Sequence, residues 1–213
     1  MGIWIHCVME NGGFIVTSYF TLGTAYADVC HKFLMPTVRG LQLHSDIRAV
    51  PNKGTWLKNT AYKPEFLRAM METHKENLVF VDVDAQINFY PGLFLEIPEE
   101  YYVAAHFLDK NAWYGRDYGS NRFELLSGTL WFRNCAQSKL LLEAWDSACK
   151  STNTWEQKVL QQVMTDLGIT CFELPLSYCY IGSLPGDREP LVKVENPVIV
   201  HNQVSRKLKR TIG

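Results

Sequence analysis

The chain has 213 residues, 47% of them hydrophobic, enough for one domain with a continuous core. Its 21 Lys and Arg balance 22 Asp and Glu, which excludes both a global basic field that would draw nucleic acid and an acidic tail that would draw a basic partner. Six cysteines (Cys7, Cys30, Cys135, Cys149, Cys171, Cys179) show neither C-x-x-C spacing nor disulfide-scaffold density, so reduced, mostly buried thiols and a cytoplasmic location are expected. Residues 3–8 are apolar, but they lack a basic leader and are interrupted by His6 and Glu10, so a signal peptide is not predicted. No run approaches the roughly 18 apolar residues of a membrane span, and a soluble protein is expected.

In chain order, residues 13–17 read as a β-rich strand, 18–23 as a polar and aromatic loop, and the stretch from about 24 as a helix that Pro36 bends or stops. Residues 47–50 read as a second strand and 51–54, rich in Pro, Asn and Gly, as a turn. Pro64 then opens a helix that places Phe66, Leu67, Met70 and Met71 at core-facing spacing and ends near His74. Residues 78–83 form the third strand. Strands alternating with helices predict an α/β fold, one domain with a mostly parallel central sheet flanked by helices, whose ligands gather at the carboxyl ends of the strands. The second half is more mixed: strands at 101–107 and 125–132, helices at 137–149 and 155–167, and short strands at 171–174 and 198–200.

The stretch 77–87, Asn-Leu-Val-Phe-Val-Asp-Val-Asp-Ala-Gln-Ile, carries the most chemistry. Its β-branched run ends in Asp82 and Asp84; side chains two apart on a strand share a face, so both carboxylates are expected to project together where the strand meets its loop. With no basic neighbour in sequence, a divalent cation is the economical way to neutralise them, and hard oxygen ligands suit Mg²⁺ or Mn²⁺. Gly128, within Ser127-Gly128-Thr129, predicts a bulge or a close backbone approach to a ligand. His201 closes the apolar run 197–200 and so stands at another strand end.

Taken in order, these residues assemble into a resemblance. Thr17-Ser18-Tyr19-Phe20-Thr21, Lys53 through Thr60, Val81-Asp82-Val83-Asp84, Ser127 through Phe132, Trp155-Glu156-Gln157 and His201 are similar to the motif order of a small GT-A-type nucleotide-diphospho-sugar glycosyltransferase. The resemblance implies a single Rossmann-like domain over 1–213, with a nucleotide-binding half at about 13–90 and an acceptor half at about 91–213. It implies that Asp82 and Asp84, with His201 as third ligand, hold Mn²⁺ or Mg²⁺ against the diphosphate of a nucleoside-diphosphate sugar, a UDP-sugar first. Imidazole favours manganese. The resemblance also maps Thr17, Tyr19 and Thr21 onto the nucleoside cradle, and Lys58, Ser127, Gly128 and Lys207 onto the donor side. Related retaining enzymes carry His-x-x-Gly-x-x-Lys; here the run from His201 to Lys207 keeps the lysine but has Val204 in place of glycine. The cluster Arg206, Lys207, Lys209 and Arg210 reads equally as a phosphate clamp or a solvated tail.

Breaking a sugar–diphosphate bond demands stabilisation of an anionic leaving group, by a metal or by basic side chains. On the acceptor side Glu156 leads as a catalytic acid group. Its roles as base, as sugar-hydroxyl acceptor and as helix-terminal dipole partner all stay open. Asp117 is a second catalytic candidate beside Asp109, both in the polar and aromatic loop 108–122. Three other functions compete: a sugar-nucleotide nucleotidyltransferase, disfavoured because 17–23 has one glycine and no basic residue; a non-catalytic nucleotide-sugar-binding module; and metal-dependent hydrolysis without an acceptor. The acceptor is left open among a modified nucleobase in DNA, a glycan, a small molecule and a protein side chain. The oligomeric state is open too.

Overall fold

The computed structural model describes residues 13–182, 190–204 and 208. Cys7, the apolar run 3–8 and the basic cluster Arg206, Lys207, Lys209 and Arg210 lie outside the described residues. The first half supplies β1 (Phe14–Thr21), α1 (Tyr26–Lys32), α2 (Leu34–Gly40), β2 (Ser45–Val50), α3 (Trp56–Thr60), α4 (Lys63–Thr73), β3 (Asn77–Val81) and β4 (Ala85–Ile87). The second supplies β5 (Val103–Asp109), α5 (Lys110–Tyr114), β6 (Phe123–Phe132), α6 (Ala136–Ser151), α7 (Glu156–Asp166), β7 (Phe172–Glu173), β8 (Tyr180–Ile181) and β9 (Ile199–His201). The central sheet runs in the order β2-β1-β3-β6-β5-β7, and within it only β6 opposes the common strand direction. A smaller sheet, β4-β9-β8, lies beside it.

The apolar runs are continuous because the central strands are covered on both faces. Period-two alternation divides each run between two cores. Ile15, Leu78, Phe80, Leu130 and Phe132 pack with α4, α6 and α7 on one face, while Val16, Val79, Val81 and Trp131 pack with α1, α2 and Phe94 on the other. Within α4 the predicted stripe of Phe66, Leu67, Met70 and Met71 is at most 2% exposed. Pro64 sits in that helix's first turn, where its missing N–H costs nothing.

Three elements depart from expectation. The predicted loop 18–23 is largely strand, because Val16 through Thr21 pair in parallel with Ser45 through Val50, and the Ser18 hydroxyl donates to Val81 O at 2.6 Å. The helix expected from residue 24 breaks at Phe33 (φ −111°, ψ −66°), and Pro36 lies in the first turn of α2 instead of ending α1. The third strand stops at Val81, so Asp82 and Asp84 stand in the turn closed by Ala85 N–H donating to Asp82 O at 3.0 Å. Shared strand face is therefore not what brings those two acids together. Cys30, Cys149 and Cys179 are buried free thiols and Cys135 and Cys171 half-buried ones.

Candidate active site

A cleft of about 240 Å³ opens at the carboxyl ends of β1 and β3, where the chain crosses to β2 on one side and leads away from β3 on the other. Tyr19 and Thr21 reach it from β1, Lys63 from α4, Asp82 and Asp84 from the turn after β3, Ser127 from β6 and Glu156 from α7.

Lys63 is the residue that sequence reasoning missed. The residue is 2% exposed, and its ammonium lies 3.1 Å from Glu156 Oε1 and 3.2 Å from Asp82 Oδ1 and donates to Ser127 O at 3.0 Å. It also sits 4.7 Å above the Phe80 ring. A cation in the first turn of a helix opposes the helix dipole, and that misfit was the available signal. The acids thus do have a basic neighbour, contributed from a distant part of the chain. Burial works against the charge on Lys63, but Asp82 and Glu156 outweigh it and raise its affinity for the proton. For Asp82, removal from water pushes the carboxyl up, as do Asp84 and Glu156, against the pull of Lys63 and His201. Asp82 still presents 43% of its side chain to the cleft.

Glu156 is 5% exposed; its Oε1 accepts from the Ser127 hydroxyl at 2.8 Å, and its backbone carbonyl accepts from Trp145 Nε1 at 2.8 Å. The neighbouring glutamines of α7 act as a substitute strand. Because β3 pairs only with residues 129–132 of β6, Gln157 Oε1 accepts from Ser127 N–H at 3.0 Å and Gln161 Oε1 from Leu125 N–H at 3.1 Å. Their i, i+4 spacing on the helix matches alternate donors on the strand.

The predicted bulge is present. Ala105 pairs with Leu130 and His106 with Leu126, so Ser127, Gly128 and Thr129 bow out of register with β5. Gly128 forms a cradle: a Cβ there would stand 2.9 Å from His201 Cε1, 3.1 Å from His201 Nδ1 and 3.3 Å from Asp82 Oδ2. His201 is 2% exposed; Nε2 bonds Thr129 Oγ1 at 2.8 Å, and Nδ1 lies 3.7 Å from Asp84 Oδ1. Asp84 is anchored in turn, its Oδ2 accepting from Val204 N–H at 2.8 Å and its carbonyl from Asn202. Among the described residues no three His, Cys, Asp or Glu side chains are already gathered as a metal site. The donor chemistry of two carboxylates and one imidazole fits Mn²⁺, and two of the three border the cradle at Gly128.

Other expected site residues stand apart from the cleft or serve only as its wall. Thr17 is fully buried in the sheet, its hydroxyl 3.5 Å from Val79 O. Tyr19 is packed edge-on to Tyr62 and donates its phenol to Asn59 O at 2.8 Å, which makes it a wall more than a loose stacking ring. Lys58 is exposed on α3, and the lysine that lines the cleft is Lys63, paired with Asp82 and Glu156. Asp117 is exposed and accepts from Gly119 N–H at 2.9 Å, closing a loop, while Asp109 caps α5 and pairs with Arg122 at 2.6 Å. Hydrogen bonding from Arg122 holds the Asp109 carboxyl down at about 2. Lys207 is outside the described residues.

Several solved structures share this fold. A glycosyltransferase involved in glycosylation of the major capsid of PBCV-1 superposes with TM-score 0.63 at 12% identity, over 93% of this chain and 97% of its own. The bifunctional WbbM glycosyltransferase gives 0.62 at 12% identity over 92% of this chain, which spans 46% of WbbM. Mouse xyloside xylosyltransferase 1 gives 0.56 at 9% identity over 90% of this chain and 98% of its own. No curated protein matches the sequence. No described helix is long and apolar enough to cross a membrane. The model of the nucleotide-diphospho-sugar transferase family matches residues 24–210, and the chain belongs to that family.

Proposed function

We propose that the protein is a metal-dependent glycosyltransferase that moves a sugar from a UDP-sugar to an acceptor hydroxyl. The observation that carries this reading is the convergence at Gly128, where the lack of a side chain lets His201 Nδ1 and Asp82 Oδ2 come within 3.1 Å and 3.3 Å of the place a Cβ would take, at the carboxyl end of β3. Asp82, Asp84 and His201 would hold the cation. When bound there, Mn²⁺ supplies positive charge to the diphosphate as the sugar bond breaks. The bond between Thr129 and His201 Nε2 fixes the imidazole so that Nδ1 faces the acids. Thr21 and Tyr26 line the cleft on the β1 side and take the nucleoside. Lys63 locks Asp82 and Glu156 in place. Both short contacts of the Glu156 carboxylate use Oε1, and we assign Oε2 to a hydroxyl of the donor sugar.

A thermal-shift and calorimetric screen of nucleoside diphosphates, with and without Mn²⁺, tests the proposal. UDP with Mn²⁺ should stabilise the fold by about 2.7 kcal/mol at a hundredfold excess over Kd, and Asp84→Ala should remove the metal-dependent part. Equal stabilisation without the cation, or unchanged turnover by Asp84→Ala, overturns it.

A further inference from the structure

The cleft continues past Asp82 towards β5, β6 and β8, and this second half has its own chemistry. Its walls are Leu108, Leu126, Ile181 and the Tyr114 ring. The lining also carries the indoles of Trp56 and Trp155, which meet edge to face, 5.6 Å between centroids and 75° between planes, forming an aromatic corner. Trp155 remains 45% exposed although it borders the cleft. The charges lining the cleft are unbalanced. Asp82, Asp84 and Glu156 face Lys63 as the single described cationic side chain of the lining, and Lys63 is enclosed by Asp82, Glu156 and Ser127. Glu124 adds a fourth carboxylate, paired at its rim with Lys110 at 3.5 Å. A divalent cation would offset the excess, and the donor's diphosphate would then restore it.

We infer that the acceptor is a neutral saccharide, bound with a ring against the Trp56–Trp155 corner; this rests on the glycosyltransferase reading above. A pyranose has an apolar C–H face and a rim of hydroxyls, which matches an aromatic corner beside carboxylate and amide acceptors. A nucleic acid or phosphorylated acceptor would bring its phosphates into a cleft lined by four carboxylates and one enclosed lysine, where Lys158, 5.9 Å from the Trp155 ring centroid, is the basic side chain beside the corner. The cleft thereby separates acceptors that overall charge, near zero, leaves equal.

The test follows nucleoside diphosphate release with a panel of UDP-sugars and Mn²⁺, after calorimetry has established which UDP-sugar binds. Acceptor probes are benzyl glycosides of neutral mono- and disaccharides, the matching sugar 6-phosphates, and a single-stranded oligonucleotide containing 5-hydroxymethylpyrimidines. A neutral glycoside should give kcat/KM at least tenfold above either anionic probe. Trp155→Ala should lower that kcat/KM at least tenfold through the acceptor KM, and Trp155→Phe should recover most of it. If Trp155→Ala does not fold, Trp155→Leu measured against Trp155→Phe serves the same comparison. An anionic probe that equals the neutral glycosides refutes the inference, as does a UDP-sugar that binds with Mn²⁺ while no neutral saccharide is used. If no UDP-sugar binds, the donor reading fails and this inference fails with it.

Discussion

Replacing Lys63 with Met keeps the length and most of the volume of the side chain while deleting the ammonium that lies 3.1 Å from Glu156 and 3.2 Å from Asp82. Breaking a buried ion pair from one side typically costs about 3–5 kcal/mol, mainly because the other charge stays buried without a partner. Here the stranded group is Glu156, whose side chain is 7% exposed; Asp82, at 43%, can return to water and adds little. The Ser127 carbonyl also loses a donor at 3.0 Å, worth about 1 kcal/mol. Against this, the variant no longer has to bury an ammonium. The expected net loss is about 3–4 kcal/mol, or on the order of 10 °C in Tm for a chain of this size. Urea denaturation of the metal-free protein at pH 7 measures it. Pairing Lys63→Met with Glu156→Gln should recover at least about 1.5 kcal/mol, because the amide oxygen still accepts from Ser127 and carries no charge. A loss below about 1 kcal/mol refutes the view of Lys63 as the counter-ion of this site.

Gly128→Ala should place a methyl 2.9 Å from His201 Cε1 and 3.3 Å from Asp82 Oδ2, at an overpacking cost of about 1–3 kcal/mol, and should weaken Mn²⁺ binding by calorimetry; unaltered affinity would mean that the cradle has no role in holding a cation. Gln161→Leu should leave the Leu125 N–H without its acceptor, destabilise by about 1–3 kcal/mol, and speed hydrogen exchange at Leu125, whereas an unchanged exchange rate would show that the glutamine is dispensable to the strand edge. At the far end of the sheet, hydrogen bonds from Arg48 and then from His74 hold the Asp46 carboxyl below its ordinary range. Its contribution is therefore complete above a normal carboxylate pKa of about 3.9 and is lost as pH falls through the lowered value. Asp46→Asn should accordingly be less stable than the parent at neutral pH and converge with it in acid; a gap that stays constant down to about pH 2 contradicts that linkage.

What was legible in the sequence was whatever repeats at short range. The stripe Phe66, Leu67, Met70 and Met71 announces its helix because a 3.6-residue period needs only local evidence, and all four residues are buried. Gly128 announces its bulge because a glycine inside a strand-like run suggests a bulge or a close backbone approach, and the register shift opposite Ala105 lies there. The polar residues of β1 were opaque for the converse reason. Ser18 and Tyr19 look like loop residues until their hydroxyls find Val81 O and Asn59 O, acceptors 63 and 40 residues away.

The same limit explains the site. Sequence could show that Asp82 and Asp84 end a strand, but not that a turn, with Asp84 tied to Val204, does the work first assigned to a shared strand face. It could place Glu156 at a helix start, yet the meaning of that position depends on a lysine 93 residues earlier in the chain. Lys63 and Pro64 together open a helix with a positive charge at its positive end. Such a local misfit is kept only where something distant offsets it, and the misfit itself is visible in one dimension. Charges that oppose their own helix dipole are thus worth treating as signs of a buried partner, and here the partners are Asp82 and Glu156, two of the acids that line the cleft.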